Sequence, residues 1–193
     1  MSNLSANSTP ANRPRVSTRK LTAMGLMAAV SVMLVAVVHF PIFPAAPFLE
    51  YDPADISIFI CTFLYGPVSG LLLTLVVSVI QGLTVSAASG PIGIIMHIFA
   101  TGTFVLVSGN IYRVKRTRGG AVMALAAGVA VWVLAMCVWN LIFTPIFMGT
   151  PRAAVMEILL PVIVPFNFIK AGINSVITFA IYKSIAKLVR SEE

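Results

Sequence analysis

Residues 121–147 read Ala121-Val-Met-Ala-Leu-Ala-Ala-Gly-Val-Ala-Val-Trp-Val-Leu-Ala-Met-Cys-Val-Trp-Asn-Leu-Ile-Phe-Thr-Pro-Ile-Phe147, without one charged side chain. About 20 apolar residues cross a bilayer as a helix, so this run is long enough to do so. On its N-terminal flank stand Arg113, Lys115, Arg116 and Arg118. Bases gather where a membrane helix meets the cytoplasm. The remainder of the chain agrees. Hydrophobic residues make up 59% of its 193 positions and charged residues 10%, against roughly 25% charge in a soluble domain. Such a chain cannot cover a water-facing surface. Its mean hydropathy is +0.98. The sequence therefore predicts an all-α integral membrane protein.

Outward from this run, further apolar segments are delimited by breakers. The first spans Leu21 to about Val38 and ends in His39-Phe-Pro-Ile-Phe-Pro-Ala-Ala-Pro47, whose prolines remove backbone donors and fix φ. The second is short, from about Asp55 to the turn signal Tyr65-Gly66-Pro67, and suits a tilted or partly re-entrant helix. The third covers Val68 to about Gly82. A small-residue loop, 83–90, leads to the fourth, Pro91–Tyr112, with proline at a helix start. After the run at 121–147, residues 148–164 form a connection with a short helix over Ala153–Leu160. The sixth covers Pro165 to about Leu188.

Six helices place both termini on one side. All thirteen Lys and Arg residues except Arg152 and Lys170 then share that side, while Glu50, Asp52, Asp55 and Glu157 fall opposite. The positive-inside rule makes the basic side cytoplasmic. One compact six-helix bundle is expected over residues 19–190, behind a disordered cytoplasmic tail, 1–18, rich in Ser, Asn, Pro and Arg. The basic clusters abut apolar segments, which argues against nucleic acid as a partner; the lipid bilayer is the partner expected. Cys61 and Cys137 lie inside apolar segments with no disulfide or metal spacing. No phosphate loop of the G-x-x-x-x-G-K-[ST] kind is present, so uphill transport would draw on a partner or an ion.

Few residues here can carry chemistry. Phe48-Leu-Glu-Tyr-Asp-Pro-Ala-Asp55 is the densest aromatic and polar cluster on the outer side. Leu49 and Tyr51 are candidates to cover a ligand, whereas Asp52 and Asp55 suit capping of the second helix equally well. Lys170 sits well inside the last segment, where an idle lysine is costly. Asn167 precedes it by three residues, so both can face one cavity. Asn140 is a further buried amide. His97 and Gln81 are expected to pair between helices instead. Gly25 and Ala29 make a small-xxx-small pair suited to a close helix neighbour.

Four stretches together resemble a known family: Phe48-Leu-Glu-Tyr-Asp-Pro-Ala-Asp-Ile56, Phe63-Leu-Tyr-Gly-Pro-Val-Ser-Gly70, Ser89-Gly-Pro-Ile-Gly93 and Val164-Pro-Phe-Asn-Phe-Ile-Lys-Ala-Gly172. Over about residues 20–188 the chain is similar to the substrate-binding S components of energy-coupling-factor (ECF) vitamin transporters, most of all the riboflavin branch. It departs from that branch at Glu50, where a lysine is common, and along Leu75-Val-Val-Ser-Val-Ile-Gln81, where a Glu…Lys-Asn pattern is usual. The resemblance implies capture of a vitamin, riboflavin first, at the outer face of a bacterial plasma membrane. It implies a pocket formed by Leu49, Tyr51, Asn140, Asn167 and Lys170. It further implies that Gly25, Ala28 and Ala29 pack against a transmembrane coupling subunit that works with two ABC ATPases. Riboflavin would be the transported ligand, with no catalytic residue, metal or resident cofactor. The competing readings are an S component for another vitamin or heterocycle, a self-contained secondary transporter and an integral membrane enzyme. The last two need an intramembrane carboxylate or a nucleophile–base pair, which the sequence does not display.

Overall fold

The computed structural model describes residues 17–44 and 46–190, so most of the expected tail lies outside the described residues. The helices are α1 (Thr18–Val37), α2 (Ala54–Tyr65), α3 (Pro67–Leu83), α4 (Gly90–Val114), α5 (Arg118–Met148), α6 (Arg152–Ile158) and α7 (Val164–Arg190). Six of them form the bundle, and α6 is the short helix expected in the outer connection. Helix α1 begins at Thr18, inside the stretch assigned to the tail, because Ser17 O accepts from Leu21 N and Thr18 O from Thr22 Oγ1.

Three pieces differ from a plain reading of the apolar runs. Two short strands, β1 (Phe40–Pro41) and β2 (Glu50–Tyr51), pair antiparallel and fold the loop between α1 and α2 back on itself. Between α6 and α7 the chain does not unwind; it passes through a π-helical turn, Leu159–Ile163. Pro161 lies in this turn and Pro165 just after it. Neither can donate to a helical ladder, and a wider turn absorbs the missing bonds. Helices α1, α4, α5 and the joined α6–α7 are long and apolar enough to cross a membrane, while α2 and α3 are shorter.

Helix α2 is the centre of the bundle. It is buried without a break from Ala54 to Phe63, because α1, α3, α4 and α7 all pack around it. A helix enclosed on every side reads as continuously apolar and shows no stripe. It turns directly into α3 at Gly66, whose φ of +89° favours glycine. Nearby, Gly109 brings α4 close: a Cβ there would stand 2.7 Å from Thr62 Cγ2 and 2.9 Å from Pro67 Cβ.

The two ends of the bundle differ. At one end the Phe63 ring stacks on Tyr112 at 4.2 Å between centroids and meets Tyr182 edge-on at 5.6 Å. Lys20, Arg113, Arg116 and Lys183 belong to this end, with Lys20 Nζ 5.7 Å from the centroid of Tyr65. At the other end, the loop before α2 packs with α6, and an opening lies between α3, α4, α5 and α7.

Candidate functional site

The opening leads into a cavity of about 150 Å³ that reaches down to Ala100 and Trp132. Its wall is mixed. Phe48, Leu49, Trp132, Met136, Phe147 and Phe166 give apolar and aromatic surface, and Asn140, Asn167, Lys170, Gln81 and His97 add polar groups. This is the composition of a small-molecule site: mostly apolar, with a few placed donors and acceptors.

Helix α7 supplies its sharpest chemistry. The Lys170 ammonium donates to Asp52 Oδ2 at 2.7 Å and lies 3.4 Å from the Glu50 carbonyl. Asp52 comes from the loop ahead of α2, where its Oδ1 also accepts the Ala54 N–H at 3.1 Å. It is thus at once the cap suggested by the sequence and the counter-ion of Lys170. Gln81 of α3 approaches the same carboxylate at 3.4 Å. One turn beyond Lys170, Asn174 donates to the Asp52 carbonyl at 3.1 Å and accepts from the Tyr51 hydroxyl at 3.0 Å. The first outer loop is therefore tied to α7 through side chains that are almost wholly buried.

Asn167 is oriented from both sides. Its Nδ2 donates to the Ile163 carbonyl at 2.8 Å, and its Oδ1 accepts from Trp132 Nε1 at 2.9 Å. Asn140 donates to the Met136 carbonyl and accepts from Thr144, both at 2.8 Å. Each amide keeps unused hydrogen-bonding capacity while its rotamer is fixed.

Four of the five residues expected at a ligand site, Leu49, Asn140, Asn167 and Lys170, line this one cavity. Tyr51 does not. It turns away to Asn174 and packs its ring 5.5 Å from Phe40. Burial first, then Asp52, pushes its phenol above the ordinary value, with Lys170 opposing. Its hydroxyl accordingly stays a donor. Gly25 and Ala29 lie on the exposed outer face of α1, and Ala28 is half-buried against the core. Nothing stands within 4 Å of a Cβ placed on Gly25.

The acids correct a further expectation. The sequence displays no carboxylate within the membrane, yet Asp52 and Asp55 are 2% and 0% exposed. Asp55 accepts from Thr101 at 2.7 Å and faces His97 Nε2 at 3.2 Å, while His97 Nδ1 lies 2.7 Å from Ser78 Oγ. A carboxylate does lie inside the bundle, paired by residues 42 and 46 positions away in sequence. Spacing along the chain gave no sign of it.

A family model described as "ECF transporter, substrate-specific component" matches residues 19–182. The chain belongs to this family. It is a transporter component and not an enzyme. Three curated relatives align along nearly the whole chain. The riboflavin transporter RibU of Staphylococcus aureus (strain TCH60) is 24% identical over 89% of this chain and 93% of its own length. The riboflavin transporter FmnP of Bacillus subtilis (strain 168) is 24% identical over 85% and 90%. RibU of Streptococcus thermophilus is 26% identical over 90% and 85%. Among solved structures, that of "Structure and mechanism of the S component of a bacterial ECF transporter" superposes with a TM-score of 0.76, covering 89% of this chain and 98% of the other at 24% identity. The fold is thus the ECF S-component bundle, and the cavity lies within it.

Proposed function

We propose that this S component captures riboflavin at the outer face of a bacterial plasma membrane. It delivers the vitamin in complex with a transmembrane coupling subunit and two ABC ATPases. The termini and the basic end face the cytoplasm, and the cavity faces out. The observation that carries the reading is the meeting of Asn140, Asn167 and Lys170, from α5 and α7, around one cavity roofed by Phe48 and Leu49. Amide and ammonium groups suit a ring edge rich in carbonyl and N–H groups, such as the pyrimidine side of a flavin. Phe48, Trp132, Phe147 and Phe166 offer aromatic faces to a flat heterocycle. The three relatives named above, all riboflavin transporters, support the same reading.

The mechanism is binding, enclosure beneath the outer loop and reorientation of the bundle by its ATP-driven partners, with no covalent step. The exposed small-residue face of α1 is available to the coupling subunit. The test is to purify the protein and identify the co-purifying small molecule by mass spectrometry, then titrate ligand-free protein with riboflavin. A flavin in the first experiment and saturable quenching of its fluorescence in the second are expected. A different bound vitamin, with no response to riboflavin, would reassign the ligand.

A further inference from the structure

The charges on the cavity wall are unevenly balanced. Its acids are Glu50 and Asp52, its one amine is Lys170, and His39 and His97 add imidazoles. Lys170 is committed to Asp52 at 2.7 Å. His97 faces Asp55, a carboxylate set just behind the wall. Glu50 remains at the mouth, its side chain 33% exposed and 2.7 Å from His39 Nε2. Among the described residues no arginine lines the cavity. Arg152 is exposed at the start of α6 and is not part of the wall. Two features oppose this charge: His39, which offsets Glu50 only when protonated, and the N-terminus of α4, since Ser89, Ile92 and Gly93 border the cavity. A helix dipole amounts to roughly half a positive charge, less than the full charge of one carboxylate.

We infer that Glu50 is a specificity determinant that keeps the cavity mouth negative, so that the protein selects neutral ligands over counterparts ending in a phosphate. The inference rests on the flavin reading and sharpens it: riboflavin is accepted and riboflavin 5′-phosphate is disfavoured. A phosphate monoester brings about −1.5 to −2 charges and calls for a cation whose charge is not already balanced. The charge of Lys170, the one ammonium among the described residues of the wall, is balanced by Asp52. The repulsion acts across the cavity, because the Debye length is about 8 Å at physiological ionic strength and screening is weaker in a partly buried site.

The test compares the parent with Glu50→Gln and Glu50→Lys, each reconstituted in a bilayer disc. Each is titrated with riboflavin and with riboflavin 5′-phosphate at about pH 8, where the phosphate is ionised. The quantity read is the ratio of the two Kd values, so any general loss of affinity or damage to the fold cancels. The parent should favour riboflavin by about tenfold or more, and this preference should fall by about threefold in Glu50→Gln and about tenfold in Glu50→Lys. Raising the salt should shrink the ratio in the parent more than in Glu50→Gln. Ratios in both variants within about twofold of the parent would overturn the role of Glu50 while leaving the flavin reading intact. A parent that binds neither flavin would overturn the flavin reading and this inference with it.

Discussion

Lys170 and Asp52, 118 residues apart, form a 2.7 Å ion pair with both partners buried, which fastens the last helix to the first outer loop. Removing one member of such a pair strands the other. Breaking a buried pair from one side costs about 3–5 kcal/mol, whereas replacing both partners is far milder. Lys170→Met and Asp52→Asn should each lower the Tm of the purified protein, and the double variant should recover part of the loss. Additive losses in the double variant would show that the two residues act separately.

Ligand affinity should also depend on α7. Asn167→Ala removes a polar partner from a buried site, worth about 1–3 kcal/mol, or roughly five- to hundred-and-fifty-fold in Kd. We expect at least about a tenfold loss of riboflavin affinity for Asn167→Ala and for Lys170→Ala, read by calorimetric titration of ligand-free protein. Parent-like affinity in both would place the pocket elsewhere.

Trp132 is expected to act through Asn167 by holding its Oδ1 from below. Trp132→Phe keeps an aromatic face and deletes the N–H. Its affinity loss should be about three- to tenfold, smaller than that of Asn167→Ala. In Asn167→Ala, adding Trp132→Phe should cost little more. A full extra loss in the double variant would mean that the indole N–H meets the ligand directly and does not act through Asn167.

Single cysteines at Thr117 and Ser89 sit at opposite ends of α4 and its flanking turns. In intact cells an impermeant thiol reagent should modify the Ser89 position and spare the Thr117 position. Labelling of both from outside would reverse the assignment of the basic end to the cytoplasm.

Bulk on the outer face of α1 should separate capture from delivery. Gly25→Leu and Ala29→Leu project from exposed positions, and no side chain of the bundle stands near Gly25. Riboflavin binding by the isolated protein should hold while cellular uptake falls. Equal losses in both assays would make this face part of the fold and not a docking surface.

The sequence displays the fold through its apolar runs and their punctuation, because a bilayer demands long helices and prolines end them visibly. It also displays Asn140, Asn167 and Lys170, since polar groups stand out in an apolar helix. What stays hidden is pairing. Asp52 and Asp55 both read as caps, because the partner of the first is 118 residues away and His97 and Thr101, which meet the second, come from another helix. Trp132 resembles any core aromatic until its N–H is seen to meet Asn167. Tyr51, in the right loop, faces the wrong way for a ligand because strand pairing fixes its side. The π-turn before α7 likewise reflects how prolines are accommodated in space, which periodicity along the chain does not reveal.

The stack of Phe63, Tyr112 and Tyr182 at the basic end has a consequence for traffic. The cavity stops at Ala100 and Trp132, and below it lie interlocked rings. The bundle is a cup and not a pipe. In the proposed cycle such a cup would empty only when it is tipped, delivering a single helping through the same rim by which it was filled.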